Sequence, residues 1–340
     1  MEERLSAAAG ELLAVVRAGV ATVTLNRPAA LNALTLGMLE GLTEWLEAWA
    51  SDDRVRVVVL RGAGEKAFCA GGDIRALHER FKAGHDMLPF FVIEYALDHR
   101  IHTYPKPVVA LMDGIVMGGG MGLAQGASLR LVGERTKMAM PETAIGLFPD
   151  VGGSYFLARL PGSLGRYLGL VGPTLRAADA LYCGLADEYI GTAPLALGEL
   201  EAARPAIERH FGHDSVAAIT ASLAADDSDW SRRTLEALGK RSPTMLAVTL
   251  EQLARGAKLG LADAFRMELG LIQSSFDHGD FIEGIRALIV EKDNAPRWNP
   301  PTLAQVDKAA VERFFRSRWS PGAHPLAHLG QGEAHNPVRG

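Results

Sequence analysis

The feature that most constrains the fold is a unit that occurs twice: a short β-branched strand, a glycine-rich loop and then a helix. The first unit runs from Val55 through the loop at 61–73 into a helical pattern that begins at Ile74. The second runs from a strand at 107–112 through Gly118–Gly120 into a helix of small residues. Glycines placed just before a helix leave backbone N–H groups free to bind negative charge. Repeated strand–loop–helix units predict an α/β core.

A third loop, at residues 140–153, carries two carboxylates. Pro141, Pro149 and three glycines exclude a continuous helix or a central strand there, so we expect an ordered, bent loop. Glu142 and Asp150 have mostly apolar neighbours in this loop, and a carboxylate against an apolar wall is poised for proton transfer. The plainer interpretation is that each acid caps a short helix.

The sequence pattern changes near residue 190. Strand-like runs become rare beyond that point, and helical stretches follow one another as far as residue 291. We therefore predict an α/β core with the active site at 1–193 and a helical region at 194–320. The Gly-, Pro- and His-rich end at 321–340 is predicted to be a flexible tail.

Charge and composition exclude several classes of partner. The 35 basic and 40 acidic residues give a net charge of −5 without a basic run, which disfavours nucleic-acid binding. No uncharged apolar run is long enough to span a bilayer, so we expect no membrane partner. The two cysteines suit a reducing compartment, and the acidic first residues resemble neither a secretion signal nor a transit peptide. A cytoplasmic protein is predicted. His99 and His102 lack further ligands nearby in sequence, so no metal is predicted.

The glycine loops do not match a nucleotide-binding motif. Leu123 occupies the place of the third glycine of a dinucleotide fingerprint, and no P-loop sequence occurs. Two converging backbone amides can instead stabilise a carbonyl oxygen that gains negative charge, and removing one such donor typically costs about 10²–10³-fold in rate. A nearby carboxylate could act as base or nucleophile while a second delivers a proton. This combination indicates acyl chemistry.

Three stretches resemble the signatures of the crotonase, or enoyl-CoA hydratase/isomerase, superfamily: Phe68–Ile74, Asp113–Gly120 and Pro141–Gly153. The resemblance is strongest to the 3-hydroxyisobutyryl-CoA hydrolase branch of that superfamily. Several ordered motifs together are more specific than any one alone. Further matching stretches extend over nearly the whole chain, at 27–34, 242–244, 280–287, 292–293 and 296–298.

The resemblance implies a fold and an active site. The implied fold is a superhelix of ββα units with a helical C-terminal region. An acyl-CoA thioester oxygen would lie between the amides of Gly72 and Gly119, which form the oxyanion hole. Glu142 aligns with the common catalytic glutamate of the superfamily.

Other positions separate the branches of the superfamily. In the hydratases a second glutamate stands two residues after the glycine triplet, but Gly122 is found there in this sequence, which argues against water addition by two glutamates. Asp150 matches the hydrolase branch, in which it assists thioester cleavage. Glu94 matches a residue that contacts the hydroxyl group of the substrate. Without the resemblance, Glu94 would be interpreted as a helix-surface carboxylate.

These implications predict an enzyme that hydrolyses 3-hydroxyisobutyryl-CoA, or a similar short 3-hydroxyacyl-CoA, to the free acid and CoA, as in valine catabolism. Glu94, Gly119, Glu142 and Asp150 would bind the substrate, and no cofactor is expected because CoA is part of the substrate. One alternative is an enoyl-CoA isomerase or hydratase of the same superfamily. A second is a non-catalytic acyl-CoA-binding protein. Members of the superfamily often assemble through their C-terminal helices, so a homo-oligomer is an open expectation.

Overall fold

The strands of the chain form two sheets. The computed structural model describes residues 2–331, and its strands in chain order are β1 (Glu2–Ala7), β2 (Leu12–Arg17), β3 (Val20–Leu25), β4 (Val57–Gly62), β5 (Ala67–Cys69), β6 (Val108–Met112), β7 (Ile115–Met117), β8 (Leu129–Val132), β9 (Lys137–Ala139) and β10 (Glu188–Tyr189). One sheet has the strand order β1-β2-β3-β4-β6-β8-β10, and the other has the order β5-β7-β9.

The first three strands form an antiparallel meander. A hairpin around Ala18-Gly19 joins β2 to β3, with Arg17 opposite Val20. Buried and half-buried residues alternate along both strands, which is the period of a strand with one face on the core. No strand is predicted for the edge strand β1, whose first three residues, Glu2, Glu3 and Arg4, are charged and exposed.

From β4 onward each turn of the chain adds one strand to each sheet. The first strands of successive turns, β4, β6 and β8, are parallel neighbours in the large sheet, and the second strands, β5, β7 and β9, are parallel neighbours in the small one. The carboxyl ends of β5, β7 and β9 therefore lie at one edge. This edge receives the two glycine loops and the loop at 140–153, so the topology brings all three loops together.

Helices connect the strands and make up the rest of the chain. The first helix is specified by its local sequence: the hydroxyl of Thr35 accepts a hydrogen bond from the N–H of Met38, and Leu39, Leu42 and Leu46, spaced three and four residues apart, are buried. The helices in chain order are α1 (Leu36–Ala50), α2 (Ile74–Lys82), α3 (Leu88–His102), α4 (Gly119–Gln125), α5 (Gly153–Phe156), α6 (Leu164–Val171), α7 (Ala177–Cys183), α8 (Leu200–Phe211), α9 (Val216–Ala224), α10 (Asp229–Gly239), α11 (Pro243–Gly256), α12 (Leu261–His278), α13 (Phe281–Ile285) and α14 (Lys308–Phe314).

The helical region packs directly on the α/β core. Helix α12 lies against α3, where Phe265 contacts the ring of Tyr95 at 5.5 Å between centroids. The change to helices falls between the last strand, β10, and the start of α8, which brackets the predicted boundary at 193. The division into domains itself stays a prediction. None of the helices in residues 2–331 is long and apolar enough to cross a membrane.

The predicted flexible tail at 321–340 needs a correction in its first half. Leu326 and Leu329 are buried, and the guanidinium of Arg266 in α12 donates hydrogen bonds to the carbonyls of both. Two leucines thus anchor a segment whose Gly and Pro content alone predicts flexibility. The remainder of the predicted tail, 332–340, lies outside the described residues.

Candidate active site

The two glycine loops approach each other closely. A Cβ atom built on Gly71 would lie 3.4 Å from the backbone nitrogen of Gly119, and one built on Gly118 would lie 3.4 Å from the Cα of Gly71. Gly71 and Gly118 have φ values of 103° and 50°, which glycine adopts without a Cβ penalty. Such residues are needed where two backbones come this close. The loops can therefore present their amides to one small group.

The amides of Gly72 and Gly119 are free to bind that group. Gly119 is the first residue of α4, so its N–H has no intrahelical acceptor. Within residues 2–331, neither the N–H of Gly72 nor that of Gly119 donates a hydrogen bond to the protein. Unpaired backbone donors in a folded interior are rare. The pair has the character of an oxyanion hole.

The stretch at 27–34 holds the first glycine loop in place. Leu34 pairs with the loop as a short parallel bridge, since its N–H donates to the carbonyl of Gly71 at 2.8 Å and its carbonyl accepts from the N–H of Asp73 at 2.9 Å. The guanidinium of Arg27 pairs with the carboxylate of Asp73 at 2.9 Å. Residues 27–34 therefore fix the position of the loop that carries Gly72.

Glu142 lies beside the second glycine loop. It is the first residue of a short 3₁₀ helix, Glu142–Ile145, so the predicted bent loop contains one helical turn. Its Oε1 atom is 3.6 Å from a Cβ built on Gly118, while Oε2 is buried without a hydrogen-bond partner among the described residues. Burial, with a smaller contribution from the charge of Asp150, raises the pKa of Glu142 well above its usual value. A carboxyl of this kind keeps its proton at higher pH than an exposed glutamate does.

Asp150 has one strong partner. The hydroxyl of Tyr95 in α3 donates to its Oδ2 at 2.8 Å, and both side chains are buried. Burial raises the pKa of Asp150 to about 6, against the opposing effect of the Tyr95 hydrogen bond. Because a donated hydrogen bond favours the ionised form, Asp150 is better suited than Glu142 to carry the first negative charge of the pair.

Glu94 and Asp98 lie one turn apart on α3 and face the glycines of α4. A Cβ on Gly119 would be 2.3 Å from Oε1 of Glu94, and one on Gly122 would be 2.4 Å from Oδ2 of Asp98. Burial raises the pKa of both carboxyls, and neither Oε1 of Glu94 nor the oxygens of Asp98 have a hydrogen-bond partner in the described part of the chain. Glycine is required at position 122 because a Cβ there would overlap the Asp98 carboxyl. A cavity of about 440 Å³ borders Asp98, Gly122 and Val151 on another side.

The structure brings together the residues predicted for the site. Glu94 and Glu142 are each close enough to Asp150 for its charge to raise their pKa, and each approaches a residue of the second glycine loop. Their catalytic roles stay predictions. Cys69 accepts a hydrogen bond from the N–H of Gly71, and burial raises the pKa of its thiol to about 12, as expected for a small buried side chain.

Sequence reasoning missed Tyr95 and Asp98. Both lie on α3 next to Glu94, and the spacing of Glu94 and Asp98 is the one available signal, because carboxyls four residues apart share a helix face. Tyr95 has no such signal, since a tyrosine in an apolar helix is typical of core packing. No group of three or more His, Cys, Asp or Glu side chains within residues 2–331 is arranged to hold a metal ion.

Comparison with known proteins agrees with this geometry. Residues 20–199 and 194–315 match the profile of the enoyl-CoA hydratase/isomerase family. The chain belongs to this family. Two members of known structure superpose with a TM-score of 0.86: an enoyl-CoA hydratase from Rhodobacter sphaeroides, 38% identical over 90% of this chain and 97% of its own, and a carnitinyl-CoA dehydratase from Mycobacterium thermoresistibile, 42% identical over 90% and 96%. The expected superhelix with a helical C-terminal region is confirmed.

Curated relatives in the family carry a different name. A protein from Danio rerio, 42% identical over 89% of this chain and 88% of its own length, is named 3-hydroxyisobutyryl-CoA hydrolase, mitochondrial. A human protein of the same name is 37% identical over 91% of this chain and 89% of its own length. Hydratase, dehydratase and hydrolase names thus occur among similar proteins, and the side chains of the site distinguish between these reactions.

Proposed function

We propose that this protein hydrolyses the thioester of a short 3-hydroxyacyl-CoA, with 3-hydroxyisobutyryl-CoA as the first candidate substrate. The observation that carries the proposal is the pair of free amides at Gly72 and Gly119, with Glu142 beside the same glycine loop and Asp150 close enough to alter its pKa. The hydrolase name of the curated relatives supports the same reaction and substrate. The sequence resemblance would place this step in valine catabolism.

The carboxyls favour hydrolysis over the other reactions of the family. Water addition to an enoyl group by two glutamates would use a side chain at position 122, where only glycine fits against Asp98. An isomerase needs one carboxyl to move a proton, and Glu142 alone would be enough. The buried Asp150 has no evident use in an isomerase, but a second acid is needed to protonate a leaving thiolate.

Two routes fit the geometry. In the first, a carboxylate oxygen of Glu142 attacks the thioester carbon, and the carbonyl electron pair moves onto the oxygen held by Gly72 and Gly119. The C–S bond then breaks, the thiolate takes a proton from Asp150, and water hydrolyses the resulting mixed anhydride. In the second, Glu142 takes a proton from water, whose oxygen attacks the thioester carbon directly while the carbonyl electron pair moves onto the oxygen held by the two amides. The C–S bond then breaks as this oxyanion collapses, and the thiolate takes a proton from Asp150. Both routes yield the hydroxy acid and the CoA thiol.

Each route needs ionised Glu142 and protonated Asp150, whereas the hydrogen bond from Tyr95 favours ionised Asp150, so the reactive arrangement is the less populated of the two one-proton forms. The charge of Asp150 raises the pKa of Glu142, so the two protons leave in two steps. The form with one proton exists between these steps. Since burial raises both pKa values, we expect this form at a higher pH than a pair of exposed carboxyls would show it.

The test is release of thiol from 3-hydroxyisobutyryl-CoA, followed with a thiol reagent. The wild type should release thiol, whereas Asp150→Asn should lower the rate by about 10²–10⁴-fold because no acid then protonates the thiolate. Asp179→Asn is a matched control: Asp179 is also buried, but its carboxylate accepts from the N–H of Leu200 at the start of α8. A double-bond shift in an enoyl-CoA that survives Asp150→Asn, with no thiol release by the wild type, would favour the isomerase.

A single turnover in ¹⁸O-water tests the anhydride route. Label found in the carboxylate of Glu142 requires the anhydride, because water labels that carboxyl only by attack on the glutamyl side of it. Label found in the product acid alone would mean that water attacks the acyl carbon of the substrate, as it must in the second route.

Three further expectations belong to this proposal. The reaction uses only water and the thioester, so thiol release should be unaffected by EDTA. A cytoplasmic location remains a proposal, since the curated relatives are named mitochondrial proteins, and cell fractionation would decide it. Assembly into a homo-oligomer is likewise untested, and sedimentation would measure it.

A further inference from the structure

The turn that carries Asp150 is strained. Val151, the next residue, has a φ of 50°, and Gly152 follows with a φ of 87°. A β-branched residue in the left-handed region is a true outlier, and such a conformation is unfavourable by itself. The turn therefore keeps this shape only if its surroundings impose it.

Two buried side chains from the helical region supply that support. Gln252 of α11 donates from Nε2 to the carbonyl of Pro149 at 2.6 Å, on one side of Asp150. Glu268 of α12 accepts from the N–H of Gly152 and from that of Ser154, both at 2.8 Å, on the other side. The carboxylate also accepts from the hydroxyl of Ser154.

These contacts are made under full burial. Gln252 and Glu268 both have an exposed fraction of 0%. Placing a carboxylate in the interior is costly unless donors satisfy it, and every hydrogen bond found for the Glu268 carboxylate in residues 2–331 comes from this turn. An apolar side chain would fill this space at lower energetic cost. The carboxylate, in contrast, fixes the direction of two backbone N–H groups, those of Gly152 and Ser154.

We propose that Glu268 and Gln252 are positioning residues, which hold the strained turn so that Asp150 meets the hydroxyl of Tyr95 and shares the site with Glu142. The proposal rests on the thioester hydrolysis proposed above. Under it the helical region is part of the catalytic machinery, because α11 and α12 set the geometry of an acid that belongs to the α/β core.

The first test is Glu268→Gln. An amide of the same shape turns one acceptor oxygen into a donor that faces the N–H of Gly152 or of Ser154, so the turn should shift. A displacement of about 1 Å of a catalytic group can cost about 10²-fold, and we expect kcat for thiol release to fall about 10- to 100-fold with KM within about threefold of wild type. Gln252→Met should lower kcat in the same way. Ser275→Ala, a buried position of α12 whose hydroxyl donates to the carbonyl of Leu271, should leave kcat unchanged.

A double-mutant cycle separates positioning from a general loosening of the fold. If Glu268 acts through Asp150, Glu268→Gln should cost little in an Asp150→Asn background, although it costs 10- to 100-fold alone. An equal loss in both backgrounds would overturn the proposal. So would an unchanged kcat in both Glu268→Gln and Gln252→Met. Should Glu268→Gln not fold, the same cycle with Gln252→Met decides. Absence of thiol release by the wild type would instead contradict the proposed function.

Discussion

Removing the hydroxyl of Tyr95 tests the proton arrangement of the site. In Tyr95→Phe the ring remains, but Asp150 loses a donor at 2.8 Å in a fully buried position. A hydrogen bond to a charged group contributes about 1.5–3 kcal/mol. At 1.36 kcal/mol for each pKa unit, the pKa of Asp150 should rise by about 1–2 units from its value of about 6.

The sign of the effect on rate follows from the one-proton form. The hydroxyl favours ionised Asp150, whereas the reaction needs ionised Glu142 and protonated Asp150, so its loss favours the reactive arrangement. At acid pH, where Glu142 must first lose its proton, thiol release should be unchanged. At neutral and alkaline pH, where ionised Asp150 limits the wild type, thiol release should rise by up to about 10- to 100-fold.

The assay is thiol release measured from pH 5 to pH 9, together with thermal unfolding. Tyr104→Phe is the matched control, because Tyr104 is also buried and its hydroxyl donates to the neutral carbonyl of Leu46 at 2.7 Å. That variant should lose about 1 kcal/mol of stability without a change in the pH profile. A loss in Tyr95→Phe that is the same at every pH would refute the reasoning.

Three shorter predictions follow from individual contacts. In Gly122→Ala the new Cβ would lie 2.4 Å from Asp98 and 2.8 Å from Val151, so the melting temperature and the rate should both fall, at a cost of about 1–3 kcal/mol, and Asp98→Ala in the same chain should restore stability. Ser242→Ala removes a hydroxyl that donates to Asp280 at 2.6 Å and caps α11, so the melting temperature should fall by a few degrees with kcat unchanged; a lower kcat at full stability would contradict a structural role. Burial raises the pKa of both cysteine thiols, so the native protein should not react with the thiol reagent of the assay, whereas reaction before unfolding would contradict their burial.

Local patterns in the sequence predict much of the fold. The strand–loop–helix units become successive turns of the superhelix, because β-branched runs and glycine loops specify strands and close backbone approach locally. The roles of Gly72, Gly119 and Glu94 were predicted from the family resemblance and not from local pattern, because each role depends on how the residue packs against a neighbouring element. Glu94 shows the reason: helical periodicity alone assigns it to a solvated surface, and its burial follows only from packing against Gly119.

The supports of the site could not be predicted in this way. Glu268 is 114 residues from Ser154, and in sequence it is one more carboxylate on an amphipathic helix. Its hydrogen bonds exist only because α12 packs on the core next to α5. The stretches at 242–244 and 280–287 match the family, but the sequence alone does not show what their residues do. In the structure, the hydroxyl of Ser242 donates a buried hydrogen bond to Asp280.

The central claim is that one oxyanion hole and one carboxyl beside it cleave a thioester. The most direct measurement is the yield of CoA thiol and hydroxy acid from 3-hydroxyisobutyryl-CoA, with the wild type and with Glu142→Gln side by side. We predict equal amounts of thiol and acid from the wild type and a loss of at least about 10²-fold in Glu142→Gln, whose amide can neither attack nor take a proton. Thiol release by Glu142→Gln at the wild-type rate, or none by the wild type, would contradict the account.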